Sequence, residues 1–153
     1  MDVQSLKRAG LLADLTDDEL RIFASCARLI PFKKDEEVLH QGQRNASLFI
    51  VETGLLHVRA RGKGHDVLLG RMEPGSFFGE ISLLDPGPTT AAVCAVTDGQ
   101  LLEVGRAALD QFITRCPPAG ARLLLHILEG MASRLRHTDE HLVDAIMWGG
   151  LLK

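Results

Sequence analysis

Short runs of β-favouring residues, separated by glycines, dominate the chain between Phe32 and Val104. The runs are EVLH, SLFIV, LLHVRA, DVLLGR, AAVCAV and QLLEV, and no long helical pattern lies between them. Glycine is common in turns because it adopts positive φ without steric penalty. Evenly spaced short strands of this kind favour an antiparallel roll or barrel. RGKGHD is predicted to be a hairpin tip, with Gly62 and Gly64 supplying the bend.

A helical pattern precedes the β-rich region. In LTDDEL, Thr16 and Glu19 have the spacing of a capping box, in which each residue satisfies a free backbone N–H of the other. The apolar residues that follow lie on one helical face. The sequence therefore predicts a short amphipathic helix that runs to about Arg28 and is stopped by Pro31.

Two helical patterns follow Gly105. RAALDQFITR predicts a short helix, and a long helix is predicted from about Pro118 towards Trp148. Apolar residues of the long helix recur at alternating steps of four and three, the spacing of a coiled-coil seam, which predicts a homodimer through this helix. The predicted seam is Leu124, Leu128, Met131, Leu135, Thr138, Leu142 and Ala145.

These patterns predict one domain over residues 1–153, since a chain of 153 residues can bury one sizeable core. The expected fold is mainly β with flanking helices: an antiparallel β-roll of the jelly-roll or double-stranded β-helix type, with an N-terminal helix and a long C-terminal dimerisation helix. We expect a helical part at 1–30, the β-roll at 32–104 and C-terminal helices at 106–148.

The net charge of −3 gives no electrostatic reason to expect DNA or an anionic membrane as a partner. The sequence ends just after the long helix, at Lys153, so no DNA-binding domain is expected. Cys26, Cys94 and Cys116 are odd in number and widely spaced, which favours reduced thiols in a cytoplasmic protein over disulfides or zinc.

The segment FFGEISLLDPGPTTAAV, from Phe77 to Val93, is the candidate ligand site. Gly79 and Glu80 open a short helical turn, whose free backbone N–H groups attract a phosphate. The Glu80 carboxylate would repel that phosphate, so it is better suited to accept a hydrogen bond from a ribose hydroxyl. The segment contains no Lys or Arg, which raises the question of how an anion would be held.

This segment, with PGSFF before Gly79 and GPTTAAV after the turn, resembles the phosphate-binding cassette of the cyclic nucleotide-binding domains in the catabolite activator protein and in kinase regulatory subunits. The resemblance extends from the capped first helix through FKKDEEVLHQGQ to the long C-terminal helix. It implies that the roll holds a cyclic nucleotide such as cAMP or cGMP, or a related small anion. Gly79, Glu80 and Ile81 would then meet the ribose and phosphate, and Thr90 and Ala91 would cap the cyclic phosphate.

The stretch ASRLRHTDEHL resembles the dimerising helix of the same activator family. Thr138 and Asp139 match the pair that reaches the purine, one from each subunit. The predicted ligand-binding set is Gly79, Glu80, Ile81, Ser82, Thr89, Thr90, Ala91, Thr138 and Asp139.

The sequence departs from the family pattern at Thr89. The pattern places an arginine nine residues after the glutamate, in a GPRTA-like segment, and this chain has GPTTAA. A charge-assisted hydrogen bond contributes about 1.5–3 kcal/mol, so its loss weakens cyclic-nucleotide affinity roughly ten- to a hundredfold. Arg44 and Arg71 are interpreted as surface residues rather than replacements. Three possibilities stay open: weak binding through backbone N–H groups and two threonines, a different or less charged ligand, or an empty fold retained for dimerisation.

The sequence therefore favours a small-molecule sensor that signals through a dimer helix. The alternative is a degenerate, ligand-free roll that acts as a dimerisation or protein-interaction module with an unknown partner. No enzyme is expected, because no activated nucleophile occurs. His137 and His141 could bind a metal on one helical face, but the sequence offers no third ligand, and no metal or other cofactor is expected.

Overall fold

The computed structural model describes residues 3–150, and the side chains of residues 3–147. Helices lie at the two ends of the chain, and one short helix interrupts the strands. None of the helices in this part of the chain has the length and hydropathy needed to cross a membrane. The helices are α1 (Val3–Leu6), one 3₁₀ turn (Gly10–Leu12), α2 (Asp17–Cys26), α3 (Glu80–Leu84), α4 (Arg106–Arg115) and α5 (Pro117–Gly150).

Ten short strands occupy the region between α2 and α4 within residues 3–150, and every pairing between them is antiparallel. This arrangement confirms the predicted β-roll with flanking helices. The strands are β1 (Arg28–Phe32), β2 (Glu37–Leu39), β3 (Arg44–Asn45), β4 (Ser47–Thr53), β5 (Leu56–Gly62), β6 (His65–Met72), β7 (Phe77–Phe78), β8 (Gly87–Pro88), β9 (Ala92–Ala95) and β10 (Gly99–Gly105).

Two four-stranded sheets face each other across an apolar interior. Their strand orders are β1-β10-β4-β7 and β2-β9-β5-β6, and β3 pairs with β8 in a small third sheet. Inside the roll, the Phe49 and Phe78 rings stack with centroids 5.1 Å apart. The interior cluster consists of Phe32, Leu39, Phe49, Val51, Leu56, Phe78, Val93, Ala95 and Leu101.

A second apolar cluster lies between the first sheet and the helices. Residues Leu48 and Ile50 of β4 point to this side, so the central strand is buried on both faces. Phe23 of α2 meets Phe112 of α4 edge to face, with ring centroids 5.2 Å apart. Ile127 of α5 is fully buried in the same cluster. This packing fixes the first part of α5 on the body of the protein.

The capping box of α2 is confirmed. The backbone N–H of Glu19 donates to Thr16 Oγ1 at 3.3 Å, and the backbone N–H of Thr16 donates to Glu19 Oε2 at 2.9 Å. The predicted end of the helix is wrong: α2 ends at Cys26, and Pro31 lies inside β1. Proline is tolerated there because β1 is an edge strand of its sheet and needs no ladder hydrogen bond on its free side.

The predicted hairpin between β5 and β6 is confirmed, but its turn differs by one residue. Gly62 pairs with His65 as the last residue of β5, so it does not form the bend. Lys63 and Gly64 form it, with φ of 49° and 79°. Two consecutive positive φ values characterise the type I′ turn that suits the twist of a tight hairpin.

The predicted seam of α5 divides between two surroundings. Leu124 and Met131 are partly buried against the second cluster. Leu128, Leu135 and Leu142 are 54%, 63% and 57% exposed. Between residues 132 and 147, Arg134 alone is partly buried and the other residues are exposed. The second half of α5 therefore projects from the body with an apolar side uncovered.

Candidate ligand-binding site

A cavity of about 910 Å³ lies between the β-roll and α5. The cassette segment forms one wall, and residues of α5 from Ser133 to His141 form the opposite wall. The structure brings eight of the nine predicted ligand-binding residues to this cavity. They are Gly79, Glu80, Ile81, Ser82, Thr89, Thr90, Ala91 and Thr138.

Gly79 sets the path of the cassette. It has a left-handed φ of 84° and directly precedes α3. A Cβ at this position would collide with the backbone carbonyl oxygen of Ser47 on β4. That carbonyl is itself fixed, because it accepts a hydrogen bond from Asn45 Nδ2 at 2.8 Å. The position therefore requires glycine for two reasons, its backbone conformation and the close approach of β4.

Glu80 is held by an arginine of α5. The Glu80 side chain is almost completely buried, and Arg134 Nη1 donates to its Oε1 at 2.5 Å. Arg134 Nη2 donates to the backbone carbonyl oxygen of Phe77. The guanidinium carbon also lies 4.8 Å from the centroid of the Phe77 ring, within the range of a cation–π contact. One side chain thus ties α5 to both β7 and α3.

Gly130, one helical turn before Arg134, allows this contact to form. A Cβ on Gly130 would lie 2.5 Å from Phe77 Cζ, so only glycine lets the phenylalanine ring pack against the helix backbone. The interior glycine of α5 therefore has a packing role, although glycine lowers helix propensity by about 1 kcal/mol relative to alanine.

The contact between Arg134 and Glu80 was not predicted from the sequence. The available signal was weak: Arg134 precedes Thr138 by four residues, so the two lie on one helical face. Their pairing is visible in the structure, where Thr138 Oγ1 donates to the backbone carbonyl oxygen of Arg134 at 2.9 Å. Arg44 lies in β3 and Arg71 forms an ion pair with Glu73 at 3.7 Å, and neither lines the 910 Å³ cavity.

Thr89 makes hydrogen bonds to the neighbouring turn of the roll. Its Oγ1 donates to the backbone carbonyl oxygen of His40 at 2.7 Å. Its backbone N–H donates to Gln43 at 2.9 Å, and its carbonyl oxygen accepts from Gly42 at 2.8 Å. The Thr89 hydroxyl therefore has no further proton to donate to a ligand. Thr90 is exposed beside it.

Asp139 does not line the cavity of its own chain. It is exposed on α5, three residues before Leu142 and four after Leu135. Its predicted contact with a ligand across a dimer stays a prediction.

His137 and His141 both line the cavity. Within residues 3–150, no group of three or more His, Cys, Asp or Glu side chains is placed to hold a metal ion. Cys26, Cys94 and Cys116 are free thiols. The chemistry available at the cavity is thus hydrogen bonding, apolar contact and one ion pair whose carboxylate is buried.

A family model described as the cyclic nucleotide-binding domain matches residues 29–116. The chain is 29% identical over 142 residues to the CRP-like cAMP-activated global transcriptional regulator of Mycobacterium tuberculosis, covering 92% of this chain and 62% of the relative.

Two solved structures have the same fold. The Thermus thermophilus catabolite activator protein is 30% identical with a TM-score of 0.76, covering 86% of this chain and 61% of that one. A cyclic nucleotide-binding domain from Methylobacillus flagellatus has a TM-score of 0.83 at 19% identity, covering 93% and 83% of the two chains. At 19% identity, the likeness to the Methylobacillus domain shows only that the two proteins share a fold. The chain spans about three fifths of the length of the Mycobacterium and Thermus regulators.

Proposed function

Because the chain belongs to the cyclic nucleotide-binding domain family, we propose that it is a ligand-sensing regulatory module whose 910 Å³ cavity binds a cyclic nucleotide or a related small ligand. The M. tuberculosis relative is named as cAMP-activated, which supports a ligand of this class. The relatives reported above are regulators, and we propose the same non-catalytic role here.

The observation that carries the proposal is the contact between Arg134 and Glu80. Glu80 lies in the cassette and Arg134 on α5, and both line the cavity. A ligand that places a hydroxyl on Glu80 meets the same carboxylate that holds the helix. Thr138, one turn further along α5, lines the same space. Occupancy of the cavity and the position of α5 are therefore coupled through shared atoms.

This coupling has a thermodynamic condition. A ligand shifts the position of α5 only if it binds one arrangement of the helix more tightly than another. A ligand that contacts both the cassette and α5 supplies such a difference. If the helix were displaced, the ligand would lose its contact with Thr138, and Glu80 would lose its contact with Arg134. Weak binding is expected for a cyclic nucleotide, since position 89 supplies no cation.

Hydrogen exchange combined with equilibrium titration tests the sensor. The intact chain is titrated with cAMP and cGMP, and exchange of residues 132–147 is followed in parallel. We expect saturable binding and a change in exchange along this part of α5. Saturable binding with unchanged exchange would contradict the coupling. If neither cAMP nor cGMP binds more tightly than about millimolar, near 4 kcal/mol, a cyclic nucleotide is not the ligand.

Two threonines provide a matched pair of variants for this experiment. Thr138 and Thr114 both donate a side-chain hydrogen bond to the carbonyl oxygen four residues earlier in a helix, at 2.9 and 2.8 Å, and both are exposed. Thr138 lines the cavity and Thr114 does not. Thr138→Val should weaken ligand binding, whereas Thr114→Val should leave it unchanged. Equal effects would show that Thr138 has no contact with the ligand.

A second candidate function is a ligand-free module that acts by association. The exposed apolar side of α5, at Leu128, Leu135 and Leu142, favours it. We propose that two copies of the chain associate through this side of α5, whether or not the cavity binds a ligand. The absence of any ligand response, together with a stable dimer, would favour the association module.

A further inference from the structure

The charge balance of the cavity identifies the class of ligand that suits it. We infer that the site takes an uncharged nucleoside-type ligand, with a heteroaromatic ring and sugar hydroxyls but no phosphate. This inference rests on the proposed function, since it requires the 910 Å³ cavity to be a ligand site.

Glu80 and Arg134 are the only Asp, Glu, Lys or Arg residues among the described residues that line the cavity. They form an ion pair with each other at 2.5 Å, so their charges cancel. A phosphate monoanion would add an uncompensated negative charge beside a buried carboxylate. The electrostatic field of the cavity therefore disfavours an anion.

Arg134 is not available to neutralise a phosphate. Its guanidinium already contacts the Glu80 carboxylate, the Phe77 carbonyl oxygen and the Phe77 ring. Moving it to a phosphate would leave the Glu80 carboxylate unpaired, and that residue is 5% exposed. A buried charge without its partner is strongly destabilising. The Asp, Glu, Lys and Arg residues that line the cavity therefore present a net charge of zero to a ligand.

The polar groups that remain suit neutral hydrogen-bonding partners. Arg134 donates a hydrogen bond to Oε1 of Glu80, and Oε2 has no hydrogen-bond partner among residues 3–147, so it can accept from a sugar hydroxyl. The Thr90 hydroxyl also makes no hydrogen bond within that range. The Thr89 hydroxyl already donates a hydrogen bond to the backbone carbonyl oxygen of His40.

The other walls of the cavity are largely apolar. Val67, Leu68 and Leu69 of β6 line one side, and each is about half exposed. Apolar walls with a few placed polar groups are typical of sites for heteroaromatic ligands. A flat base against these side chains would bury apolar surface without requiring a counter-ion.

The test is a paired titration of the intact chain, with adenosine against cAMP and guanosine against cGMP. The titration is made at about pH 8, above the ordinary pKa of histidine, because His137 and His141 also line the cavity. We expect at least one nucleoside to bind at least about tenfold more tightly than its own cyclic phosphate, a difference of ~1.4 kcal/mol. A cyclic phosphate that binds as tightly as its nucleoside, or more tightly, overturns this inference and leaves the sensor proposal standing. Failure of all four compounds to bind overturns both.

Glu80→Gln provides an independent arm of the test. It removes the negative charge that neutralises Arg134, so the cavity gains a net positive charge. The ratio of cyclic phosphate to nucleoside affinity should rise at least about tenfold. Glu129→Gln on α5, outside this cavity, is the matched control and should leave the ratio unchanged. An unchanged ratio in a folded Glu80→Gln protein, checked by circular dichroism, overturns the electrostatic argument. If Glu80→Gln does not fold, Thr89→Arg adds the charge without removing the ion pair and must raise the same ratio.

Discussion

Thr89 occupies the position at which the family pattern has an arginine, and its hydroxyl is directed to the His40 carbonyl oxygen. Thr89→Arg would place a cation beside the cavity, so cAMP affinity should rise at least about tenfold, or ~1.4 kcal/mol, by isothermal titration calorimetry. Thr89→Gln is the control, because it lengthens the side chain without charge. An equal gain in cAMP affinity in both variants, or no gain in Thr89→Arg, would contradict the interpretation that the cassette is intact except for its missing cation.

Gly79 offers a second prediction at the scale of one residue. Gly79 and Gly42 both have left-handed φ, of 84° and 81°. A Cβ on Gly79 would strike the Ser47 carbonyl oxygen, whereas one on Gly42 would meet nothing within 4 Å. Gly42→Ala therefore isolates the backbone strain, about 1–2 kcal/mol. Gly79→Ala should lower the free energy of unfolding by at least about 1 kcal/mol more, measured by urea denaturation. Equal losses would contradict the close approach of β4.

At the scale of single residues, the sequence predicted which cassette residues would lie near one another but not which residue neutralises Glu80. Gly79, Glu80 and Thr90 follow a local pattern in adjacent parts of the chain, and the structure brings all three to one cavity. Arg134 lies 54 residues from Glu80 in the chain. No local pattern specifies a contact at that separation, because it depends on where α5 crosses the roll.

At the scale of elements, α5 has two different sides. Leu123 and Ile127 are fully buried against the body, whereas Leu135 is 63% exposed. Leu135→Glu would put a charge into the proposed dimer seam without disturbing the core, so a folded monomer is expected. The mass measured by light scattering checks it. Arg136→Glu, the next residue on the helix, controls for added negative charge and should leave a dimer. A wild-type monomer, or a dimeric Leu135→Glu protein, would contradict the seam.

The elements themselves were largely predictable. The predicted helix RAALDQFITR coincides with α4, because its apolar spacing is clear and CPP ends it. The strand β1 and the end of α2 were not predicted, because Pro31 suggested a helix stop. The structure uses Pro31 at a sheet edge, where its missing N–H has no consequence. Whether Pro31 ends a helix or lies in a strand depends on the position of that strand in the sheet, which is a property of the tertiary structure.

At the scale of the whole molecule, His126 connects α5 to the N-terminal part. Its Nε2 lies 2.8 Å from Asp14 Oδ2, and its Nδ1 lies 3.1 Å from Glu129 Oε2. The hydrogen bond with Asp14, and less strongly that with Glu129, raises the pKa of His126 above its ordinary 6.5, although partial burial opposes this shift. Because the folded pKa is the higher one, the stabilisation is complete below pH 6.5 and is lost as the pH rises through the raised pKa.

This linkage predicts a pH dependence of stability. The free energy of unfolding should fall less between about pH 6 and about pH 9 in His126→Asn than in the wild-type protein. Urea denaturation at several pH values measures both slopes. His65→Asn, at the exposed tip of the β5–β6 hairpin, is the control and should keep the wild-type slope. A wild-type slope in His126→Asn would contradict the contribution of this contact.

At the scale of the whole molecule, we propose that the space between the roll and α5 is a ligand site that reaches both the cassette and the helix. A crystal structure of the full chain grown with adenosine or cAMP tests it most directly. We expect ligand density between Gly79 and Thr90, with the ligand within hydrogen-bond distance of Glu80 and in contact with Thr138. A space filled by the protein's own side chains, or a ligand bound elsewhere, would contradict it.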